Sequence, residues 1–340
     1  MKDTAIVILN YNGRDYLEKF LPSVKTYSGD ARIIVADNGS TDDSVPWLKS
    51  SGWKVEILQL TENLGYSGGY NEALKQIDAT FFVLLNSDVE VTENWLEPII
   101  SLMKEQPEIG AAQPKLLSYH EPDTFEYAGA AGGFIDKYGY PFCRGRIFND
   151  FEKDQGQYND NCEVFWASGA CLAVRSSVFF DAGGLDNDFF AHMEEIDLCW
   201  RIQGTGKKVY YCADSTVYHV GGGTLNKFNP RKTYLNFRNG LSLLLKNLPG
   251  LQLVPRVFIR GWLDVIAIIR FLLLLQFTHA LAVVRAHAYI LWNIRRELKK
   301  RTTVQSNIQV DTSKLIYPGS IVFEYFLMGR KEFSALKKMR

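Results

Sequence analysis

Over the first 115 residues, short runs that are apolar throughout alternate with longer stretches whose apolar residues recur on one helical face. Ala5–Leu9 is such a run, of strand length, and after it Leu17, Phe20, Leu21 and Val24 fall on one side of a helix. Arg32–Asp37 predicts a second strand, and Asn38–Ser44 supplies a turn and the cap of a short helix ending near Ser51. A third strand is expected at Lys54–Leu60, a helix at Ser67–Ile77 and a fourth strand at Thr80–Asn86. Strands apolar on both faces belong to sheets covered by helices on both sides. The prediction is an α/β domain with a mainly parallel sheet.

The pattern then fades. Residues 118–162 are rich in Gly, Tyr, Asp and Asn and read as a long irregular connection, the kind of loop that is functional or mobile. Order returns with Glu163–Val174, a short helix from about Arg175, a helix over 194–203 and two strands around Lys208–Cys212 and Thr216–Val220. From about Gly240 the chain is apolar and helical and ends in basic residues. Its longest uncharged central run, Phe271–Val284, has 14 residues, short of the roughly 20 that a spanning helix needs. The expectation is a helix lying in a membrane interface, with Arg256, Arg260, Arg295, Arg296, Lys299 and Lys300 reaching anionic head groups. A helical hairpin packed on the main domain, or a dimer interface, is the other reading.

Composition changes this picture little. The 340 residues are 46% hydrophobic and 22% charged, with 38 basic and 38 acidic side chains, so no global field points to nucleic acid. Five cysteines, with no C-x-x-C spacing, predict free thiols in a reducing compartment. The N-terminus lacks the apolar core of a signal peptide, and the protein is expected to fold in the cytosol.

In open α/β sheets, ligands bind beyond the carboxyl ends of the strands. Just past the four strand ends stand Asn10-Tyr11-Asn12, then Asp37, then Asn63-Leu64-Gly65 with Gly68-Gly69, then Asn86-Ser87-Asp88. Each has a bland alternative: Asp37 as a turn residue, the glycines as a tight loop, Asp88 as a surface cap. Their conjunction at successive strand ends exceeds what turns require. The glycines lack the dinucleotide G-x-G-x-x-G spacing, which argues against a dehydrogenase.

These motifs, with Ala167–Arg175, the segment Phe189–Tyr211 and "VYHVGGGT" at 217–224, resemble the family 2 glycosyltransferases of GT-A fold, especially their bacterial rhamnosyltransferase-like branch. The resemblance covers roughly residues 3–240. It implies a glycosyltransferase domain over 1–240, with a nucleotide-sugar half (1–117) and an acceptor and catalytic half (118–240), followed by a helical, membrane-associating extension over 241–340. Asn10, Tyr11, Asn12, Asp37, Asn63, Gly65, Gly69, Asn86 and Asp88 would hold the nucleotide-sugar, a UDP- or dTDP-sugar. The usual Asp-x-Asp motif is here Asn86-Ser87-Asp88, so Asp88 with His219 would bind Mg²⁺ or Mn²⁺, which often take one or two carboxylates plus substrate phosphates. The resemblance also implies Glu195 as catalytic base, in the place of the usual aspartate, while Glu194, His192 and Trp166 would belong to the acceptor and sugar site. Asp197 is expected to pair with Arg201 one turn later. The implied activity is inverting transfer of a sugar, rhamnose in the branch it resembles, to a hydroxyl of a glycan or lipid-linked glycan in cell-surface polysaccharide synthesis. Its implied place is peripheral, at the cytoplasmic face of the inner membrane. A catalytically impaired nucleotide-sugar or glycan-binding module is the alternative, since both altered motifs carry chemistry, and hydrolysis of the donor without an acceptor is a further one.

Overall fold

The computed structural model describes residues 1–221 and 229–336. Its first half builds β1 (Thr4–Asn10), α1 (Arg14–Tyr27), β2 (Arg32–Asn38), α2 (Ser44–Ser50), β3 (Glu56–Leu60), α3 (Gly65–Leu74), β4 (Phe81–Asn86), β5 (Val89–Val91), α4 (Glu97–Glu105) and β6 (Ile109–Ser118). Strands β1–β4 pair in parallel in the order β4-β1-β2-β3. Their alternate residues feed two cores. Ala5, Val7 and Leu84 face one side of the sheet, and Ile6, Ile8 and Leu85 the other, where Leu17, Leu21 and Val24 of α1 cover them.

Short antiparallel strands replace the irregular connection expected over 118–162. Strands β7 (Gly133–Ile135), β8 (Pro141–Cys143), β9 (Arg146–Ile147) and β10 (Asp150–Phe151) form a small sheet of their own. Runs of two or three residues are too short to show a period, which is why the sequence does not announce them. Then come β11 (Cys162–Glu163), β12 (Cys171–Arg175), α5 (Ser176–Asp181), α6 (Glu194–Gly204) and β13 (Lys208–His219).

The main sheet is mixed rather than mainly parallel. Strand β12 runs antiparallel between β4 and β6, while β13 lies parallel to β6 and carries β5 and β11 antiparallel to it. The two strands expected at 208–212 and 216–220 are one continuous strand. A register shift between Cys212 and Thr216 interrupts its period, and the Ser215 hydroxyl there bonds the Trp95 carbonyl.

Helices α7 (Pro230–Asn247), α8 (Gly250–Leu273), α9 (Phe277–Trp292), α10 (Ile294–Asn307) and α11 (Ile321–Phe326) complete the chain. Leu243, Leu244 and Leu248 join the same core as the strands, so position 240 falls within a helix packed on the domain. Helices α8 and α9 form a hairpin, and no helix among the described residues is long and apolar enough to cross a membrane. The five cysteines are free.

Three of the basic residues expected at head groups are engaged within the chain, among them Arg296, whose Nε lies 3.5 Å from Asp188 Oδ2. Arg260 is buried; its Nε donates to Asp264 Oδ1 at 2.7 Å and its Nη1 to the Tyr138 carbonyl at 3.0 Å. Lys300 Nζ lies 2.9 Å from Asp186 and 2.6 Å from Asp188. Periodicity places these cations on the tail but says nothing of carboxylates and carbonyls that the fold brings from elsewhere.

Candidate active site

The ends of β1 and β2 form a hydrogen-bonded platform. Asn10 is buried, and its Nδ2 donates to Asp37 Oδ1 at 3.0 Å and to Ser40 Oγ at 3.2 Å. Asp37 Oδ2 accepts from the Ser40 amide at 3.1 Å. Asn12, with φ 51, accepts through Oδ1 from the Thr41 and Asp42 amides at 2.7 and 3.2 Å. Asn10 thus holds Asp37 in place through Nδ2, while its Oδ1 has no hydrogen-bond partner. Tyr11 and Asn12 are exposed beside this platform.

Asn63 Oδ1 accepts from the Gly65 amide at 2.9 Å and from Asn38 Nδ2 at 3.1 Å, fixing the start of α3. The expected approach of a diphosphate to Gly69 is not what its missing side chain serves. A Cβ there would stand 2.8 Å from Leu9 Cδ1 and 2.9 Å from Asn38 Nδ2, so Gly69 lets α3 lie close on the sheet. Gly65, at φ +70, is likewise crowded, by the Phe190 ring 2.7 Å from its would-be Cβ.

At the end of β4, Asn86 and Asp88 are half-buried. His219, the last residue of β13, is buried between two carboxylates: Nε2 is 3.2 Å from Asp88 Oδ1 and Nδ1 is 3.2 Å from Glu126 Oε1. Burial disfavours the imidazolium, but Glu126 and then Asp88 outweigh it and push its pKa up to about 10. Burial likewise opposes ionisation of Asp88, and the His219 bond and charge win, holding its carboxyl below the usual range. A divalent cation would have to displace the ring proton that His219 shares with Asp88 before the ring nitrogen and the carboxylate oxygen could serve as its ligands, with Glu126 behind the ring to orient it. No group of three acidic, His or Cys side chains suited to a metal occurs among the described residues. Such an ion would therefore take the rest of its ligands from substrate phosphates. Gly222, Gly223 and Thr224 of the motif after His219 lie outside the described residues.

Glu194 and Glu195 open α6, where the helix dipole favours negative charge. Burial nevertheless pushes the Glu195 carboxyl up to about 7. Burial, and then the neighbouring Glu195 charge, hold Glu194 well above the usual range. Glu194 Oε2, Glu195 Oε2 and His192 Nε2 are all buried without a hydrogen-bond partner. Burial, with Lys232 adding to it, pushes His192 down to about 4, so its ring is neutral. Asp197 is a structural anchor, as expected: it is buried, bonded to Arg201 Nη2 at 2.7 Å, to Lys246 Nζ at 2.8 Å and to Asn247 Nδ2 at 2.9 Å.

Helix α3 meets the segment before β12 at Tyr66 and Gly169, close to Glu195. Tyr66 Oη donates to the Gly169 carbonyl at 2.7 Å, and a Cβ on Gly169 would sit 2.8 Å from Tyr66 Oη and 3.7 Å from Glu195 Cβ. Burial, then the charges of Tyr70, Glu194 and Glu195, hold the Tyr66 hydroxyl protonated. Trp166, expected to wall the sugar site, is a core residue: its indole N–H donates to the Phe134 carbonyl at 2.9 Å, and its ring fills the space above Gly133. Tyr66 and Glu126, which touch Gly169 and His219, are positions that sequence reasoning misses. Tyr66 stands inside the Asn63–Leu74 motif; Glu126 lies in a stretch with no pattern at all.

Residues 5–180 match the sequence profile of Glycosyl transferase family 2. The chain belongs to this family. It is a glycosyltransferase. The match ends before Glu195 and His219, whose roles rest on the motif resemblance and on the geometry above. Among its relatives, the N-acetylglucosaminyl-diphospho-decaprenol L-rhamnosyltransferase of Mycobacterium tuberculosis is 27% identical over 233 residues, 63% of this chain and 75% of that one. Among solved structures, GalNAc-T7 with UDP, GalNAc and Mn²⁺ superposes with a TM-score of 0.54 at 15% identity, covering 72% of this chain and 47% of that one. The chain thus spans about half of that protein. The mannosyltransferase PcManGT from Pyrobaculum calidifontis, in complex with GDP-Man and Mn²⁺, gives 0.51 at 12% identity, covering 90% of this chain and 85% of that one. At these identities the structures show the fold alone, a GT-A-like α/β fold with a mixed sheet.

Proposed function

We propose that this family 2 glycosyltransferase moves a sugar, rhamnose in the branch it resembles, from a UDP- or dTDP-sugar to a hydroxyl of a glycan or lipid-linked glycan, with inversion. The observation that carries the reading is Glu195: a half-buried residue whose Oε2 is shielded and unpartnered, its carboxyl pushed up to about 7, placed across Tyr66 and Gly169 from the nucleotide half. A base works best when its pKa lies near the working pH. Ionised Glu195 takes the acceptor proton as that hydroxyl attacks the anomeric carbon, the bond to the nucleoside diphosphate breaks, and a single displacement inverts the centre. Tyr11, Asn12 and Asp37 hold the nucleotide, with Asn63, Gly65 and Asn86 beside it. Asp88 and His219 would hold Mg²⁺ or Mn²⁺, which supplies charge neutralisation to the leaving diphosphate. The nucleotide-sugar and Mn²⁺ in the neighbours' structures, and the diphospho-decaprenol in the relative's name, support this reading.

The tail supports a peripheral membrane setting at the cytoplasmic face of the inner membrane. Helices α8 and α9 turn a continuous apolar face outward: Leu251 is 97% exposed, Trp292 90%, Phe258 66% and Trp262 59%, with Leu273, Leu275 and Phe277 between them. Contiguous apolar patches of this kind mark interaction sites. A two-helix hairpin that lies on the bilayer, its polar side anchored by Arg260, Asp264 and His287, presents the site to an acceptor embedded in that surface. The test is incubation with a panel of nucleotide-sugars and Mn²⁺, scoring nucleoside diphosphate release with and without a prenyl-diphosphate-linked sugar. Release that depends on the acceptor supports transfer. Release without it indicates hydrolysis, and binding without release indicates an impaired module.

A further inference from the structure

The segment Asp186–Met193 launches α6 from a turn that L-residues adopt only under constraint. Phe190, His192 and Met193 have φ values of 63°, 69° and 73°, and none is glycine. Such residues persist where the surroundings over-determine them. Here the constraint comes from α7. Asn239 is 1% exposed, and its Nδ2 donates to the carbonyls of Phe189, Ala191 and His192 at 3.1, 3.0 and 2.7 Å. Two N–H bonds are thus shared among three acceptors that the left-handed residues turn toward one point. Asn239 Oδ1 accepts from Arg238 Nε at 2.8 Å, which fixes the amide's orientation, and Arg238 Nη2 donates to the carbonyls of Asp188 and Phe189 at 2.7 and 2.9 Å. The Phe190 carbonyl accepts from the Tyr66 amide at 3.0 Å. Every carbonyl from Asp188 to His192 therefore has a donor from another element.

Met193, at the N-cap of α6, offers no side-chain cap. The direction of the first helical turn, and with it of Glu194 and Glu195, is set by the clamp. We infer that Asn239, oriented by Arg238, is a positioning residue for Glu195, holding the turn that aims the base at the Tyr66–Gly169 junction. The inference rests on the reading of Glu195 as base. Neither Asn239 nor Arg238 has an assigned role in that reading, and nothing in the spacing of the helix 230–247 marks them out.

The test uses the full chain and the donor found active in the nucleotide-sugar panel. Asn239→Asp keeps the shape, removes both N–H donors and sets a carboxylate against three carbonyl oxygens. Asn239→Ser keeps one donor and serves if the first variant does not fold. The expected result is nucleoside diphosphate affinity and donor KM close to wild type. The fall in kcat should be on the order of 10²-fold for Asn239→Asp, the scale of a base misplaced by about 1 Å, and smaller for Asn239→Ser. The acid limb of the kcat profile should move to lower pH as Glu195 gains water. On a Glu195→Gln background, Asn239→Asp should add little, because both changes remove the same contribution. Folded variants with wild-type kcat and an unmoved acid limb would overturn the positioning role. Full additivity on the Glu195→Gln background would overturn it too. A wild-type chain that releases nucleoside diphosphate from no donor would instead overturn the catalytic reading itself.

Discussion

His219 Nε2 stands 3.2 Å from Asp88 Oδ1, joining residues 131 positions apart at the tip of the longest strand. With Glu126 on the other ring nitrogen, the imidazole is held in one orientation from both sides. Asp88→Ala and His219→Ala are each expected to weaken Mn²⁺-dependent binding of the nucleoside diphosphate by at least tenfold, roughly the loss for a ligand or its orienting partner. Glu126→Gln should have a smaller effect of the same sign. Calorimetry with and without Mn²⁺ checks this, and metal-dependent affinity unchanged in both alanine variants would remove the site.

Glu195→Gln should bind the donor normally and lose turnover by ~10²–10⁴-fold, the usual worth of a positioned base. Glu195→Asp should keep part of the activity, since it retains the carboxylate and shortens its reach. Steady-state kinetics decide it. Near-wild-type kcat in Glu195→Gln would shift the role to Glu194, the buried carboxyl beside it at the start of α6.

The raised pKa of Glu195 carries two signs. Turnover should rise with pH through about 7, as the base loses its proton. Stability moves the other way. A carboxyl whose folded pKa lies above its unfolded value stabilises the fold at low pH, and that contribution is lost as pH rises from the unfolded value near 4.5 through about 7. Glu195→Gln should therefore gain in melting temperature relative to wild type at pH 8, by the equivalent of roughly 1–3 kcal/mol, and much less at pH 4.5. Equal differences at both pH values would show that Glu195 ionises in the fold as it does in water.

For the hairpin, Phe258→Ser with Trp262→Ser and Trp292→Ser should abolish most binding to vesicles of any charge. Arg295→Gln with Lys299→Gln should weaken binding to anionic vesicles only, at about 1 kcal/mol per basic residue. Lys300→Gln should act chiefly on activity, because its ammonium already bridges Asp186 and Asp188. Vesicle sedimentation reads the binding of all three, and steady-state kinetics the activity of the last. A full-length protein that ignores anionic and neutral vesicles alike would leave the apolar face to another partner.

Strands β1–β4 and helices α1 and α3 were legible because each is apolar on a simple period. Strand β6 was not, since the buried Gln113 and Pro114 break its pattern; Gln113 is satisfied by the Pro114 carbonyl at 3.0 Å and the Ser168 amide at 2.9 Å, partners invisible along the chain. Motif order pointed to Asp88, Glu195 and His219. It could not point to Glu126, which reaches His219 from an aperiodic loop, or to Asn239, an ordinary polar residue on a helix until the turn before α6 folds onto it. Gly69 and Trp166 were legible as special but not in kind: one spares room for a helix, and the other fills the core over Gly133.

Helix α7 has a consequence for how this protein could be recombined. Its last turn holds Asp197 through Lys246 and Asn247, and its middle holds the turn before α6 through Arg238 and Asn239. A chimera joined near residue 240, where composition changes, would cut that helix and leave Asp197 facing a foreign surface. One joined after Asn247 would keep those contacts yet lose the Lys300 bridge to Asp186 from α10. Asp186 then keeps Lys246 alone and Asp188 loses its 2.6 Å ammonium partner unless the new tail brings a cation in place of Lys300, so the turn before α6 and the tail are better inherited as one unit than exchanged as modules.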